Sequence, residues 1–324
     1  MNRHPEPSQS VDQLRPDGRL RHLLTLEGLP ASILQSLIEA ADKLRPQALG
    51  GGSLRHRLTG STVCTLFFEP STRTRSSFQL AAKRLGADSL NFNVQSSSTK
   101  KGETALDTMK TLEAMGVDCF IVRHADNGAV AALAAGARPG TAFINAGDGH
   151  SSHPTQGLLD MLTLRQRKGA DFSRLKVVIV GDIRHSRVAR SDLHALRTLG
   201  AGEIRLCAPA SLLPEAAMLE GCRVIPDLDE ALADVDAVMM LRLQRERMDE
   251  GLVPSLEQYF VDYGLSSARL RLAKPGAIVL HPGPMNRGVE IADEVADGPQ
   301  SVILDQVSNG VAVRMAVLEA VLAR

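Results

Sequence analysis

The stretch with the clearest chemical character spans residues 67–75, which read FFEPSTRTR. The apolar run from Val63 to Phe68 leads into it and predicts a buried strand. After it, apolar residues recur at helical spacing until Gly86, at Phe78, Ala81, Ala82 and Leu85. The sequence therefore places three hydroxyl side chains and two arginines where a strand leads into a helix.

A helix that begins with these residues can bind a phosphate group. The N–H groups of its first turn have no partner within the helix, and the helix dipole favours negative charge there. Ser71, Thr72 and Thr74 add donors, and the guanidinium of Arg73 matches two phosphate oxygens. The alternative is an ordinary helix start with Ser71 as its N-cap. The two arginines favour the phosphate site, because cations at this end oppose the helix dipole unless an anion is bound.

Length and composition exclude several other classes of protein. A chain of 324 residues can form two domains. Its 37 basic residues balance 37 acidic ones, which argues against a polyanion or a membrane surface as partner. The few aromatic residues leave little material for stacking on nucleic acid. No apolar run has the length needed to span a bilayer.

The cysteines and the N-terminal residues predict the compartment. The cysteines lie far apart in apolar, strand-like runs, at Cys64, Cys119, Cys207 and Cys222. This spacing predicts buried free thiols in a reducing, cytoplasmic environment, with no close pair to hold a metal. Residues 1–20 are polar and contain proline, unlike a secretory signal, and we interpret them as an extension.

Strands and helices alternate along the chain in two series. The predicted strands are Val63–Phe68, Ser89–Val94, Cys119–Arg123 and Thr141–Ala146, then Val177–Val180, Ile204–Cys207, Arg223–Ile225, Ala237–Leu241 and Ala277–Leu280. A helix over Pro154–Lys168 separates the series, and a last helix is predicted over Gly310–Leu322. The pattern predicts an α/β fold with two doubly wound parallel-sheet lobes. We expect the active site in the cleft between the lobes, beyond the carboxyl ends of the strands.

The segment Ser71-Thr72-Arg73-Thr74-Arg75 resembles the carbamoyl-phosphate signature of the carbamoyltransferases. Five separate segments occur in the family's order between about Leu24 and the end of the chain. The chain thus resembles the aspartate/ornithine carbamoyltransferase family, and its aspartate-specific members in particular. The resemblance implies transfer of the carbamoyl group of carbamoyl phosphate to the amine of L-aspartate, in pyrimidine biosynthesis, without a cofactor or metal.

The resemblance also implies a division of the chain. An N-terminal extension at 1–20 precedes a carbamoyl-phosphate-binding domain at 21–153. A linking helix at 154–168 leads to an aspartate-binding domain at 169–306. The C-terminal helix, 307–324, is expected to pack back on the first domain.

Three residues beyond the signature are expected at carbamoyl phosphate. Arg123 lies at the end of a predicted strand, and on position alone it could be a surface arginine. His153 and Gln156 lie three apart at a helix start, hence on one face, although a lone histidine there is more often a cap. The resemblance assigns Arg123 to phosphate and carbonyl, His153 to the carbonyl oxygen and Gln156 to the amide. With Thr74, Arg123 and His153 would stabilise the charge that grows on that oxygen.

The polar loop around Lys101 is expected to reach into the active site of a neighbouring subunit. On their own, lysines in such a loop are usually solvated. By resemblance, Ser97 and Lys101 bind phosphate and carboxylate in the neighbour's site, which implies homotrimers. The continuation after Pro284 resembles a bacterial group that associates with a dihydroorotase-like partner.

Cationic segments of the second series are expected to bind aspartate. The run from Val177 to Asp182 suggests a dinucleotide site, but one glycine follows it where that motif needs three. The resemblance assigns Arg187 to a substrate carboxylate instead. Arg242 and Gln244 fall on one face if their strand continues, and they match the family's aspartate contacts. Bidentate arginines would select a dicarboxylate over a neutral or cationic amine.

An acidic residue with its arginine partners and a proline-rich turn complete the expected site. By resemblance, Glu69 bridges the lobes to Arg187 and Arg247 in a closed state, although Arg247 could instead pair with a local acid. The prolines around Gly283 predict a rigid turn with exposed carbonyls. Those carbonyls, at Gly283 and Pro284, would hold amine and amide hydrogens.

Two other functions remain open on the sequence alone. One is a carbamoyltransferase for another amine, such as ornithine or a derivative, but the expected cations Lys101, Arg187 and Arg242 argue against a cationic acceptor. The other is a non-catalytic scaffold of the same fold. The intact set of expected site residues argues against that loss of function.

Overall fold

The computed structural model describes residues 11–93, 103–243 and 255–323. Its residues group into two compact units. The first unit holds the described residues up to Leu26, the described part of Ser36–Thr155 and the described residues from Gly310 onward. The second unit holds Glu27–Gln35 and the described part of Gln156–Asn309.

The first unit is built on a four-stranded parallel sheet with the order β2-β1-β3-β4. Its strands are β1 (Thr62–Phe67), β2 (Asp88–Asn93), β3 (Cys119–His124) and β4 (Ala142–Asp148). Val63 lies opposite Cys119 in the register, and a bulge between Val122 and His124 shifts the pairing of β3 with β4. Every residue of β4 is buried, as expected for a sheet that is covered on both faces.

The helices of the first series include the two that the sequence analysis places there, one ending at Gly86 and one over Pro154–Lys168. They are α1 (Ala31–Ala48), α2 (Thr72–Leu85), α3 (Ala105–Ala114), α4 (Ala129–Ala135) and α5 (Pro154–Lys168). Phe78 on α2 is fully buried, which contributes about 1.5–3 kcal/mol of hydrophobic free energy. Gly86 ends α2 in the left-handed conformation, and Thr104 begins α3 with a reciprocal capping box.

The second unit is built on a five-stranded parallel sheet with the order β7-β6-β5-β8-β9. Its strands are β5 (Lys176–Val180), β6 (Glu203–Cys207), β7 (Arg223–Val224), β8 (Ala237–Met240) and β9 (Ile278–Leu280). A core of aliphatic residues, among them Val178, Val238 and Leu232, packs against this sheet. The predicted α/β class with two parallel-sheet units is confirmed.

The remaining helices follow the strands of the second unit. They are α6 (Arg187–Thr198), α7 (Ala216–Leu219), α8 (Leu228–Leu232), α9 (Leu256–Tyr263), α10 (Ser267–Leu270), α11 (Asp293–Ala296) and α12 (Ile303–Leu322). Among the described residues, no helix combines the length and the apolar character needed to cross a membrane.

Three details of the sequence interpretation were wrong. The last helix begins at Ile303, because Gly310 lies inside it rather than at its start. Strand β8 ends at Met240, so alternation along a strand does not place Arg242 and Gln244 on one face. Cys222 is half-buried and lies outside the strands, whereas the other three cysteines are buried free thiols.

Candidate active site

The segment Ser71–Arg75, where the sequence predicts a phosphate site, lies at the switch point of the first sheet. The chain passes from β1 to β2 on one side of the sheet and from β3 to β4 on the other. Between β1 and β3 such an arrangement opens a crevice at the carboxyl ends of the strands. Phe67 ends β1 opposite Arg123 of β3, and the N–H of Phe68 donates to the carbonyl of Arg123 at 2.8 Å. The loop to α2 therefore starts beside Arg123.

A cavity of about 230 Å³ is present at this position. It is lined by Phe67, Glu69, Pro70, Ser71, Thr72, Arg75 and Ser76. Ser71 occupies the N-cap position of α2, but its side chain makes no capping hydrogen bond. Ser71 is thus the N-cap residue of the alternative interpretation, but its hydroxyl does not make the capping bond. The first turn of α2 presents its N–H groups where an anion is favoured.

The two arginines of the signature differ in their surroundings. Arg73 is exposed on the first turn of α2. Arg75 is half-buried, and its guanidinium lies 5.2 Å from the centre of the Phe67 ring. Arg75 and Ser76 also line the cavity, although neither residue was expected at the site. The spacing of four between Ser71 and Arg75 is the signal that indicates a shared helix face.

Arg123 is held in place by two groups of the first unit. Its Nε lies 3.3 Å from Glu69 Oε2, and its Nη1 donates to the carbonyl of Ala146 at 3.3 Å. Both charged side chains are mostly buried, at 14% and 18% exposure. Glu69 was expected to bridge to Arg187 and Arg247. In the structure it contacts Arg123, and Arg247 lies outside the described residues.

His153 is positioned by the loop that follows β4. The carboxylate of Asp148 accepts from the N–H of Gly128 at 3.0 Å, and the N–H of Asp148 donates to the carbonyl of Ser152 at 3.1 Å. These bonds fix the chain just before His153, which is buried and directly precedes α5. Thr74 on α2 is also buried.

Gln156 lies on the first turn of α5 and is held by an acid on the next turn. Its Nε2 lies 3.1 and 3.2 Å from the two carboxylate oxygens of Asp160. Asp160 is fully buried. The sequence analysis missed Asp160, although its position four residues after Gln156 places both on one helix face.

The second sheet has its own switch point, between β5 and β8. Gly181 follows β5 with a φ of 121°, and a Cβ there would lie 3.1 Å from both the carbonyl oxygen of Leu241 and the hydroxyl of Tyr259. Only glycine fits so close an approach of the two strand ends. Arg187 and Arg242 follow these two strands, at the sheet edge where ligands bind in such folds.

Arg187 is the first residue of α6 and is buried, while Arg242 is half-buried. The hydroxyl of Ser186 caps α6 by accepting from the N–H of Ala189 at 3.1 Å. A buried cation at a helix N-terminus opposes the dipole, so this position favours an anionic ligand. The expected pair of carboxylate-binding arginines is thus placed beyond adjacent strands of one sheet.

The turn that begins at His281 is tied down by Glu290. The N–H of Gly283 donates to His281 Nδ1 at 2.8 Å, so Nε2 carries the imidazole proton and donates to Glu290 Oε1 at 3.2 Å. The N–H of Asn286 donates to the same Glu290 oxygen. Gly283 has a φ of 61°, and Pro284 is exposed. The turn is therefore pinned at both ends around its Gly283 and Pro284 carbonyls.

Four of the expected site residues lie outside the described residues: Ser97, Lys101, Gln244 and Arg247. Within the described ranges, no cluster of three or more histidine, cysteine, aspartate or glutamate side chains could hold a metal ion.

Two parallel-sheet units, each with polar residues at its switch point, are typical of an α/β enzyme, and comparison with known proteins identifies the family. A family profile described as aspartate/ornithine carbamoyltransferase, carbamoyl-P binding domain, matches residues 21–166. A second, described as aspartate/ornithine carbamoyltransferase, Asp/Orn binding domain, matches residues 173–321. The chain belongs to the aspartate/ornithine carbamoyltransferase family, which confirms the resemblance found in its sequence.

Individual relatives show which members of the family this chain is similar to. The aspartate carbamoyltransferase catalytic subunit of Xanthomonas axonopodis pv. citri (strain 306) is 71% identical over 310 residues, which cover 96% of this chain and 98% of that protein. The structure of Trypanosoma cruzi aspartate transcarbamoylase in complex with carbamoyl aspartate and phosphate is 32% identical, with a TM-score of 0.86 over 97% of this chain and 100% of that chain.

An ornithine enzyme shares the same fold. The ornithine carbamoyltransferase of Pyrococcus furiosus is 30% identical, with a TM-score of 0.84 over 93% of this chain and 97% of that chain. The fold alone therefore does not separate an aspartate from an ornithine enzyme. The high sequence identity is to an aspartate enzyme.

Proposed function

We propose that this protein is an aspartate carbamoyltransferase, which transfers the carbamoyl group of carbamoyl phosphate to the amine of L-aspartate and releases phosphate. The product, N-carbamoyl-L-aspartate, enters pyrimidine biosynthesis. The observation that carries the proposal is a matched pair of anion sites. One is the helix start at the switch point of the first sheet, and the other is the arginine pair at the switch point of the second.

Carbamoyl phosphate is bound mainly by the first unit. Its phosphoryl end is held by Ser71, Thr72, Arg73 and Thr74, with Ser97 and Lys101 supplied by a neighbouring chain. Its carbonyl oxygen receives hydrogen bonds from Thr74, Arg123 and His153. The burial of Thr74 and His153 strengthens those bonds, because charge stabilisation by fixed donors is worth more where water is excluded.

L-Aspartate is bound by cations that include Arg187 and Arg242, together with Gln244 and Lys101. Two bidentate arginines match two carboxylates and repel the cationic side chain of ornithine. The carbonyls of Gly283 and Pro284 accept the hydrogens of the reacting nitrogens. The active site that we propose is thus composite, since it draws on several segments of this chain and on a neighbouring chain.

The reaction needs positioning more than side-chain chemistry. The neutral amine of aspartate attacks the carbonyl carbon and forms the C–N bond. The tetrahedral intermediate then expels phosphate as the C–O bond breaks. The departing phosphate takes the proton that the amine nitrogen loses. Holding the two substrates in contact supplies much of the acceleration, and donors at the carbonyl oxygen supply the rest.

We further propose that the enzyme works as a homotrimer in the cytoplasm, and that it associates with a dihydroorotase-like chain. The trimer follows from the family resemblance of the loop around Lys101. The buried free thiols Cys64, Cys119 and Cys207 suit a reducing compartment. Sedimentation of the purified chain, alone and with a dihydroorotase-like partner, tests both assemblies.

The function is tested with radiolabelled carbamoyl phosphate and a panel of amines. We expect label transfer to L-aspartate and none to L-ornithine. Transfer to ornithine alone would establish the rival acceptor, and transfer to neither would favour the scaffold. Arg73→Ala should lower kcat/KM by a factor that corresponds to roughly 2–5 kcal/mol, because a charged contact to the phosphate is lost. Lys83→Ala, at the far end of α2, is the control. Near-normal turnover of Arg73→Ala would remove the phosphate assignment.

A further inference from the structure

We propose that Asp160 is a positioning residue that makes the site select a carbamoyl group, by holding the amide of Gln156 in one orientation. This inference rests on the proposed function, in which Gln156 contacts the carbamoyl amide. A carboxylate only accepts hydrogen bonds, and Gln156 Nε2 lies 3.1 and 3.2 Å from its two oxygens. The Gln156 carbonyl oxygen is therefore on the opposite side of the amide, where it accepts from an NH₂ group.

Asp160 is itself held by α12. The side-chain nitrogen of Gln306 donates to Asp160 Oδ1 at 2.6 Å. The side-chain oxygen of Gln306 in turn accepts from the backbone N–H of His281 at 2.9 Å. Asp160, Gln306 and His281 are all buried. A continuous hydrogen-bonded chain thus connects Gln156 on α5 with the turn that contains Gly283 and Pro284.

The negative charge on Asp160 determines which groups donate and which accept in this series of hydrogen bonds. Asp192, also fully buried, is the neighbouring acid, and its pKa is raised well above the usual value by burial and by the negative charge of Asp160. The geometry of Gln306 gives the same direction of donation: its oxygen accepts from the His281 N–H, so its NH₂ group faces Asp160, which acts as an acceptor. Both amides that contact it, from Gln156 and Gln306, must then present their NH₂ groups to it.

A Gln156 amide held in this orientation lets the site distinguish between two acyl phosphates of the same shape. Acetyl phosphate carries a methyl group where carbamoyl phosphate carries NH₂. A fixed Gln156 carbonyl oxygen binds the NH₂ group and gains nothing from the methyl group. A site that hydrogen-bonds one substrate group rejects an analogue that lacks it, because its own polar atom is left unpaired.

The test is the ratio of the dissociation constants of acetyl phosphate and carbamoyl phosphate in Asp160→Asn. The new amide can keep its oxygen toward Gln306 and turn its NH₂ toward Gln156, which then rotates and presents its own NH₂ to the ligand. We expect carbamoyl phosphate to bind about tenfold or more weakly and acetyl phosphate to change less than about threefold. The corresponding values of kcat/KM with aspartate should show the same selective loss.

Thr163→Val is the matched control. Thr163 lies on the same helix, is equally buried and accepts from Asn309 of α12 at 2.9 Å. This substitution breaks a buried α5–α12 hydrogen bond without touching Gln156. We expect a lower melting temperature and an unchanged ratio. Equal weakening of both ligands in Asp160→Asn would overturn the proposal, because a purely structural role affects both donors alike.

A second variant covers the case in which Asp160→Asn does not fold. Gln306→Leu removes the hydrogen bond that Asp160 accepts from α12 and leaves Asp160 in place. We expect a smaller selective loss of carbamoyl phosphate binding, about threefold. A folded Gln306→Leu protein with an unchanged ratio would overturn the proposal. If the unsubstituted protein binds no carbamoyl phosphate at all, it is the proposed function that fails.

Discussion

At the scale of single residues, the second unit contains an acid whose ionisation opposes folding. Asp192 is fully buried, and burial together with Asp160 raises its pKa. In the unfolded chain the pKa of this carboxyl is near its usual value of 3.8. In the folded chain it stays neutral to a higher pH. Above about pH 4, ionisation of this group therefore stabilises the unfolded state but not the folded state, so the free energy of unfolding falls.

Asp192→Asn removes that difference. Asparagine has nearly the same shape as aspartate, but it does not ionise. We expect the free energy of unfolding of the variant, relative to the unsubstituted protein, to rise as the pH increases above about 4, by up to about 1.4 kcal/mol per pH unit. Denaturant titrations at several pH values measure it, with Thr163→Val as a control that has no titratable group. A constant difference would show that Asp192 is ionised in the fold.

At the scale of elements, the start of α2 differs from the other serine-capped helices. Ser186, Ser255 and Ser266 accept hydrogen bonds from the backbone of the helices they begin, whereas the Ser71 side chain does not. A serine at an N-cap normally contributes about 1 kcal/mol through that bond. The hydroxyl of Ser71 is thus available to a ligand, beside the cavity it lines.

Ser71→Ala and Ser255→Ala should therefore behave in opposite ways. Ser255 accepts from the N–H of Gln258 at 3.0 Å, and its replacement should cost about 1 kcal/mol of stability without affecting substrate binding. Ser71→Ala should leave the melting temperature nearly unchanged and weaken carbamoyl phosphate about tenfold. Calorimetry and titration of both variants measure this. A clear loss of stability in Ser71→Ala would show that the serine serves the helix.

The sequence predicted these elements well where the chain carries a strong local signal. Glycine and basic residues end α2 and α5 at the expected places, and continuous apolar runs locate the buried strands. It failed at Gly310, because helix-breaking propensity is weak beside the packing of a long buried helix. The end of β8 was missed since an apolar run does not show where strand pairing stops.

At the scale of the whole molecule, each unit has its own sheet and its own switch point. The order of motifs along the chain made the family and the two-sheet architecture predictable. The partners of individual side chains were not predictable, because they join residues far apart in sequence. Gln306 reaches Asp160 across 146 positions, and no periodicity encodes that contact. The pairing of Glu69 with Arg123 was missed for the same reason.

The proposed sharing of sites between chains is tested by mixing inactive variants. Lys101→Ala and Arg73→Ala should each lack activity alone. Trimers that contain both should regain it, because one composite site then has a native Arg73 from one chain and a native Lys101 from its neighbour. Mixtures of Arg73→Ala with Arg123→Ala are the control and should stay inactive, since both residues belong to the same unit of one chain. An absence of recovery in the first mixture would argue against a shared site.

The central claim is that one anion site binds the phosphoryl group and the other binds the dicarboxylate of the same reacting pair. An analogue that joins a phosphonate to an aspartate, N-(phosphonacetyl)-L-aspartate, must occupy both sites at once. Isothermal titration should show tight binding to the unsubstituted protein and at least about thirtyfold weaker binding to Arg73→Ala and to Arg242→Ala alike. Undiminished affinity in either variant, or no binding to the unsubstituted protein, would contradict the account.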